Sequence, residues 1–131
     1  MSEVLTKPII ATEILESLKA KFDEEKQVIV HCCFPASPMF GNLIRIWNST
    51  VLIDRNSGHH SRLLHAENIS IFPDWTVVPF MRDFWFTLIF SGLPKECSVF
   101  DFKEIIPEEG GFFVNSIKRN SSDIYRIKIS E

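Results

Sequence analysis

Phe84-Trp85-Phe86-Thr87-Leu88-Ile89-Phe90 (FWFTLIF, 84–90) is the stretch on which the fold turns. It is short for a helix and rich in aromatic and β-branched residues, which favour the pleated conformation. Successive strand side chains point to opposite faces. Phe84, Phe86, Leu88 and Phe90 therefore share one face, and Trp85, Thr87 and Ile89 the other. Both faces are largely apolar, so this strand is expected at the centre of a sheet, covered on both sides.

Working outward, similar short runs recur between turn signals. Gln27 to Phe34 (QVIVHCCF) is a strand, ended by Pro35 and Pro38 because proline cannot donate to a ladder. LIRIWNSTVLID (43–54) reads as a strand with a kink at Asn48-Ser49, followed by a turn at Asn56-Ser57-Gly58. Arg62 to Ile71 is strand-like and is closed by Phe72-Pro73-Asp74, and Trp75 to Pro79 is short and extended. After a turn at Leu93-Pro94-Lys95-Glu96 comes the strand Ser98 to Ile105, with Phe100, Phe102 and Glu104 on one face. Beyond the turn Pro107 to Gly111, Phe112 to Ile117 and Ile124 to Ile129 are expected to pair, with Tyr125, Ile127 and Ile129 facing in. Thr12 to Lys26 fits two templates. Ile14, Leu15, Leu18 and Phe22 fall at helical spacing, yet 18–22 alternates as the first strand of a hairpin with 27–34. Regularly spaced short strands without βαβ alternation predict an all-β protein. The expected architecture is one immunoglobulin-like antiparallel β-sandwich of about eight strands over 1–131, with 1–16 a flexible or helical N-terminal segment.

The bulk composition agrees with that class and excludes others. In 131 residues, 45% are hydrophobic and 24% charged, ordinary for a globular chain. Twelve Phe and three Trp against one Tyr favour a ring-rich β core. Net charge is −3, and Lys19/Lys21 and Lys118/Arg119 are isolated pairs, so no basic surface suited to nucleic acid is expected. No run approaches the roughly 18 apolar residues of a membrane helix, so no membrane insertion is expected. The N-terminus MSEVLTKPIIATEILESLKAKF lacks the basic and apolar regions of an export signal, which by sequence places the chain in the cytoplasm unless a signal has been removed. Cys32, Cys33 and Cys97 are odd in number and two are adjacent, which reads as reduced thiols and not as a disulfide framework.

The stretch DRNSGHHSRLLHAEN (54–68) holds three of the four histidines. With His31 and Cys33, which share a strand face, it supplies the candidates for a metal or thiol site: His31, His59, His60, His65 and Cys33. The spacing meets no zinc pattern. VIVHCCF offers a thiol no activating cation or helix end. His59 and His60 are read as solvated turn residues, and Asn56 to Ser61 as the turn. His65 and Glu67 share one strand face and are the pair to inspect, with Leu63 or Leu64 reaching the core. Neither cofactor nor catalytic set is expected.

The remaining feature is apolar. Trp47, Trp75, Trp85, Phe80 and Met81 are too many to bury easily, and Trp75 with Phe80-Met81 after Pro73 would form an exposed patch for a protein or glycan partner.

The segment FTLIFSGLPKECSVFDFKE (86–104), together with IRIWNSTVLID and RLLHAENI, resembles a family of small bacterial domains of uncharacterised function. Its pattern is FxLxF, then LPK, then FDxxE, and the likeness spans about 18–117. The resemblance implies a β-sandwich often found on exported or envelope proteins, with no catalytic residues to carry over. It also favours two strands over 17–34. Asp101 and Glu104 occupy the acidic positions of FDxxE, and the resemblance implies a structural role for them, such as holding the following loop. The function expected from all of this is a non-catalytic binding or interaction module. The alternative is a metal-dependent or thiol enzyme built on the histidines and Cys33.

Overall fold

The structure, a computed structural model, describes residues 26–36, 43–79, 81–108 and 110–129. The helix-or-hairpin choice over 12–26 and the segment 1–16 lie outside the described residues, save Lys26. Nine strands are present among the described residues: β1 (Val28–Phe34), β2 (Leu43–Ile44), β3 (Val51–Asp54), β4 (His60–Glu67), β5 (Thr76–Val77), β6 (Phe84–Phe90), β7 (Val99–Lys103), β8 (Phe113–Lys118) and β9 (Ile124–Lys128). Seven form one sheet in the order β8-β7-β3-β4-β6-β1-β9, and β2 pairs with β5 in a separate ribbon. All pairs of named strands are antiparallel except β1 with β9, which is parallel.

The all-β, largely antiparallel expectation is met, and FWFTLIF is an interior strand between β4 and β1. Its two faces differ more than the sequence suggests. Phe86, Leu88 and Phe90 are buried, whereas Trp85 on the outer face is 48% exposed.

Two features curl the sheet until it is nearly barrel-like. The first is the connection between β8 and β9. Six gaps at about 4.8 Å would separate them by about 29 Å if the sheet were flat. Residues 118 to 124 reach at most about 22 Å even when extended. The sheet must therefore roll until its two ends approach. Phe100 of β7 accordingly meets Tyr125 of β9 edge-on at 5.0 Å, and Phe90 of β6 meets Phe102 of β7 at 6.1 Å. The expected pairing of the last two strands with each other is corrected by this arrangement. β8 hydrogen-bonds to β7 and β9 to β1, each adding to an open edge of the sheet, so the two strands stand at opposite ends of the strand order.

The second feature is a pair of bulges, each adding a residue to one strand and strengthening local twist. In β4 the register shifts between Leu63 and His65, so Leu64 is the extra residue. Leu63 packs against the core and Leu64 stays 41% exposed. In β8 the shift lies opposite Asp101. Ser116 there has φ of +57°, and its amide donates to Asp101 Oδ1 at 2.8 Å.

The short link between β8 and β9 is locked by charge. Arg119 donates to both oxygens of Asp123, at 2.6 and 3.0 Å, and Tyr125 Oη donates to Asp123 Oδ1 at 2.9 Å. Burial alone would raise the Asp123 pKa, but the bonds from Arg119 and Tyr125 outweigh it and hold the carboxyl below its ordinary 3.8. Burial in turn pushes Tyr125 up to about 12.

Two predictions follow from this packing. Phe102→Ala should cost about 3–5 kcal/mol in urea unfolding, the range for emptying a buried ring site. Leu64→Ala, at the exposed bulge, should cost under about 1 kcal/mol. A folded pKa below the unfolded one adds stability that is present above the unfolded value and lost as pH falls through the folded one. Thermal stability should therefore drop on acidification below about pH 4. Asp123→Asn should lower stability at neutral pH and flatten that drop, as followed by circular dichroism melts across the acid range.

Candidate functional site

The sequence L-I-R-I-W (43–47) alternates, so Ile44 and Ile46 enter the core while Arg45 and Trp47 face outward. The chain returns alongside this segment. Ile46 takes a parallel bridge with Ile71, its amide donating to Ser70 O at 2.9 Å and its carbonyl accepting from Phe72 N at 2.8 Å. β5 then pairs with β2. The turn between is tied by Thr76 Oγ1, which accepts from Ser70 N at 2.7 Å. This local ladder brings Phe72 and Trp75 against Arg45 and Trp47.

The result is a stack. Trp47 and Phe72 lie ring on ring, 3.9 Å between centroids and 24° apart. The Arg45 guanidinium sits 3.7 Å from the Trp75 centroid and 4.5 Å from that of Phe72. Arg45 Nη1 also donates to Pro73 O at 3.1 Å. A cation over an aromatic face is attracted by the ring quadrupole, by about 0.5–1 kcal/mol at an exposed site. The stack is ordered but not covered: Trp75 is 51% and Phe72 41% exposed.

Beside the stack is a hollow of about 240 Å³, lined by Arg45, Trp47, Trp75, Ile106, Phe112 and the acids Glu104 and Glu108, among others. Its floor is Glu104, at the end of β7 and buried. Glu104 Oε2 accepts from Trp47 N and Oε1 from Phe112 N, both at 3.0 Å. One carboxylate thus ties the segment before β3 to the chain entering β8, which is the loop-holding role implied for it. Burial raises the Glu104 pKa, and the two amide bonds and Arg45 act against that rise. Gly111 permits the loop to close, since a Cβ there would stand 2.5 Å from the Glu104 carbonyl oxygen. Gly110, by contrast, serves the turn through φ of +94°.

The residues singled out from sequence do not come together in one place. Trp75 is in the stack. Met81 is 57% exposed, with φ of +66°, but does not line the hollow, and Phe80 lies outside the described residues. His65 and Glu67 contact one another through Nε2 and Oε2 on the outer face of β4, open to solvent and away from the hollow. His31 is also on the outer face, its Nδ1 2.7 Å from Thr87 Oγ1. It is separated from His65 by β6, hence by two strand spacings or about 10 Å, too far for one zinc with bonds of about 2.0–2.3 Å. His59 and His60 are exposed at the hairpin joining β3 to β4. The expected turn over Asn56 to Ser61 is shorter, because β4 already begins at His60. The buried carboxylate of Asp54 organises it by accepting from Asn56 N at 3.0 Å and Ser57 Oγ at 2.6 Å. Among the described residues no three His, Cys, Asp or Glu side chains form a metal-sized group. Cys33 is buried despite facing outward, and burial pushes the Cys32, Cys33 and Cys97 thiols up, away from the nucleophilic thiolate.

Arg45, Phe72 and Glu108 are not among the site residues expected from sequence. The alternation of 43–47 was a sufficient signal for Arg45 lying on the face of Trp47. Nothing local signals that Phe72 and Trp75 fold back onto it. Among the described residues no helix is long and apolar enough to cross a membrane. No known protein family, curated protein or solved structure matches the chain.

The two acids of the hollow should respond differently to mutation. Glu104→Gln keeps the shape but turns an NH₂ group toward a backbone N–H, and should cost about 1–3 kcal/mol. Glu108→Gln, at an exposed position, should stay within about 0.5 kcal/mol of the parent. Chemical denaturation of both variants checks this.

Proposed function

We propose that the protein is a non-catalytic binding module whose contact surface is the Arg45-centred aromatic stack and the hollow beside it. One observation carries the reading: large aromatic side chains are held in a fixed geometry by a guanidinium yet left open, at 51% for Trp75 and 41% for Phe72. Core rings are buried, and scattered surface rings need no such bracing. Ordered, exposed aromatics with an arginine among them are the residue types that carry most binding energy at protein interfaces. The elevated thiols of Cys32, Cys33 and Cys97 support the non-catalytic half of the reading. A protein partner is favoured, with a glycan as the other class.

An immunoglobulin-like description of the fold belongs to the same proposal. Tyr125 supports it, since its hydroxyl accepts the backbone N–H of Asn120 at 3.1 Å, as the tyrosine of such sandwiches does upstream of itself. The unbroken seven-strand order weighs toward a rolled sheet instead. The bacterial and envelope-associated setting rests on the FxLxF, LPK and FDxxE pattern alone.

Screening the full chain against peptide and oligosaccharide libraries tests the surface. At least one ligand should be retained by the wild type and weakened tenfold or more by Trp75→Ala, equivalent to about 1.4 kcal/mol. Ligands that bind Trp75→Ala as well as wild type would place the contact elsewhere.

A further inference from the structure

We infer that the hollow receives the cationic end of a lysine or arginine side chain from a partner protein segment; the inference rests on the binding reading above and names the chemistry of its partner. Donors, acceptors and charge in the hollow all favour a cation. The two backbone N–H groups nearest the floor, those of Trp47 and Phe112, are already spent on Glu104. The Arg45 guanidinium is stacked on its rings and donates to Pro73 O. What remains is acceptor capacity. Each Glu104 oxygen takes one amide and can accept more, and Glu108 has no hydrogen-bond or ion-pair partner among the described residues.

The two carboxylates also sense each other, since the charge of Glu108 adds to the rise in the Glu104 pKa. Arg45 on the wall already offsets that repulsion in part, but with two carboxylates against one guanidinium the lining stays net negative and favours a further cation over an anion. The walls suit a cation as well, because Trp47 and Trp75 both line the same space and aromatic rings attract cations. A sugar brings as many acceptors as donors and finds few free donors here.

Size and shape fit a side chain carried on a longer chain. At about 240 Å³ the hollow falls below the roughly 300 Å³ where small-molecule sites begin. It does not end at Glu104, however. A second depression of about 450 Å³ shares Glu104, Ile106, Glu108 and Phe112 and continues to Phe113, which is 52% exposed. A free amine would use only the first, whereas a peptide can seat its cation there and lay a neighbouring residue along the second.

The three tryptophans supply the readout. The full chain, labelled with ¹⁵N at the indoles, is titrated with an acetylated and amidated Gly-Ser-Lys-Ser-Gly peptide. Parallel arms carry arginine, norleucine or glutamate in place of the lysine, and a further arm uses chitotriose. The lysine and arginine peptides should shift the Trp47 and Trp75 indole signals saturably and leave that of Trp85, on the outer face of β6, in place. Norleucine and glutamate peptides should bind at least tenfold more weakly. Glu108→Gln, which keeps the fold, should weaken the lysine peptide roughly fivefold, the effect of about one kcal/mol for an exposed ion pair. Equal binding of the norleucine peptide, or an unchanged affinity in Glu108→Gln, overturns the inference. Saturation of Trp75 by chitotriose with no response to any peptide overturns it too while leaving the aromatic surface as the contact. Silence of Trp47 and Trp75 toward every peptide overturns the cation assignment, and the Trp75→Ala library comparison then judges the binding surface separately.

Discussion

The short link between β8 and β9 is the constraint on which the rest depends. It joins the two ends of a seven-stranded sheet, so the sheet has to roll. Rolling brings the inner faces of distant strands together and makes one continuous core from Val30, Leu88, Phe90, Phe100, Phe102 and Tyr125, among others. Free energy of burial at about 25 cal/mol per Å² then favours the rolled form strongly over a flat sheet with one wet face. The Arg119–Asp123 pair and the Tyr125 hydroxyl fasten the link where the chain reverses. With so little of that pair exposed, its hydrogen bonds matter more than its bare Coulomb attraction, which desolvation largely offsets.

Glu104 repeats this logic beside the hollow. A buried carboxylate without partners would be costly. Here each oxygen accepts a backbone amide from a different segment, so a potential defect becomes the joint between the β2–β3 connection and the β7–β8 loop. The hollow exists because that joint holds two loops apart from the stack while keeping them attached to it. Stability and candidate function are therefore coupled at one residue, and Glu108, not Glu104, is the acid whose charge can be altered without disturbing the frame.

The outer face of β4, β6, β1 and β9 has a different character. Glu67, Thr87, His31 and Arg126 lie opposite one another in register, polar groups crossing four strands. The histidine-rich stretch thus contributes to a solvated sheet face and a hairpin, where Asp54 does the structural work. Its apparent concentration of ligands is an effect of sequence proximity: His59 and His60 sit at the hairpin end of β4, and His65 lies beyond the bulge on the sheet face.

What the sequence determined by itself was local: the cores of the longer strands, most of their inward residues, the turn at Asn56 to Gly58, and the all-β class. Each follows from side-chain alternation and turn chemistry acting within a few residues. It also marked Trp75 as a surplus aromatic. The run 43–54, expected as one kinked strand, is instead the two strands β2 and β3. What only the tertiary structure decided was non-local. The partners of β8 and β9, the bulge that turns Leu64 outward, and the meeting of Phe72 and Trp75 with Arg45 all depend on contacts between segments that alternation does not encode. Phe72 and Trp75 are 27 and 30 positions from Arg45 in the chain. Only the parallel bridge of Ile46 to Ile71 sets them on one face, because register between distant strands is chosen by the packing of the whole core.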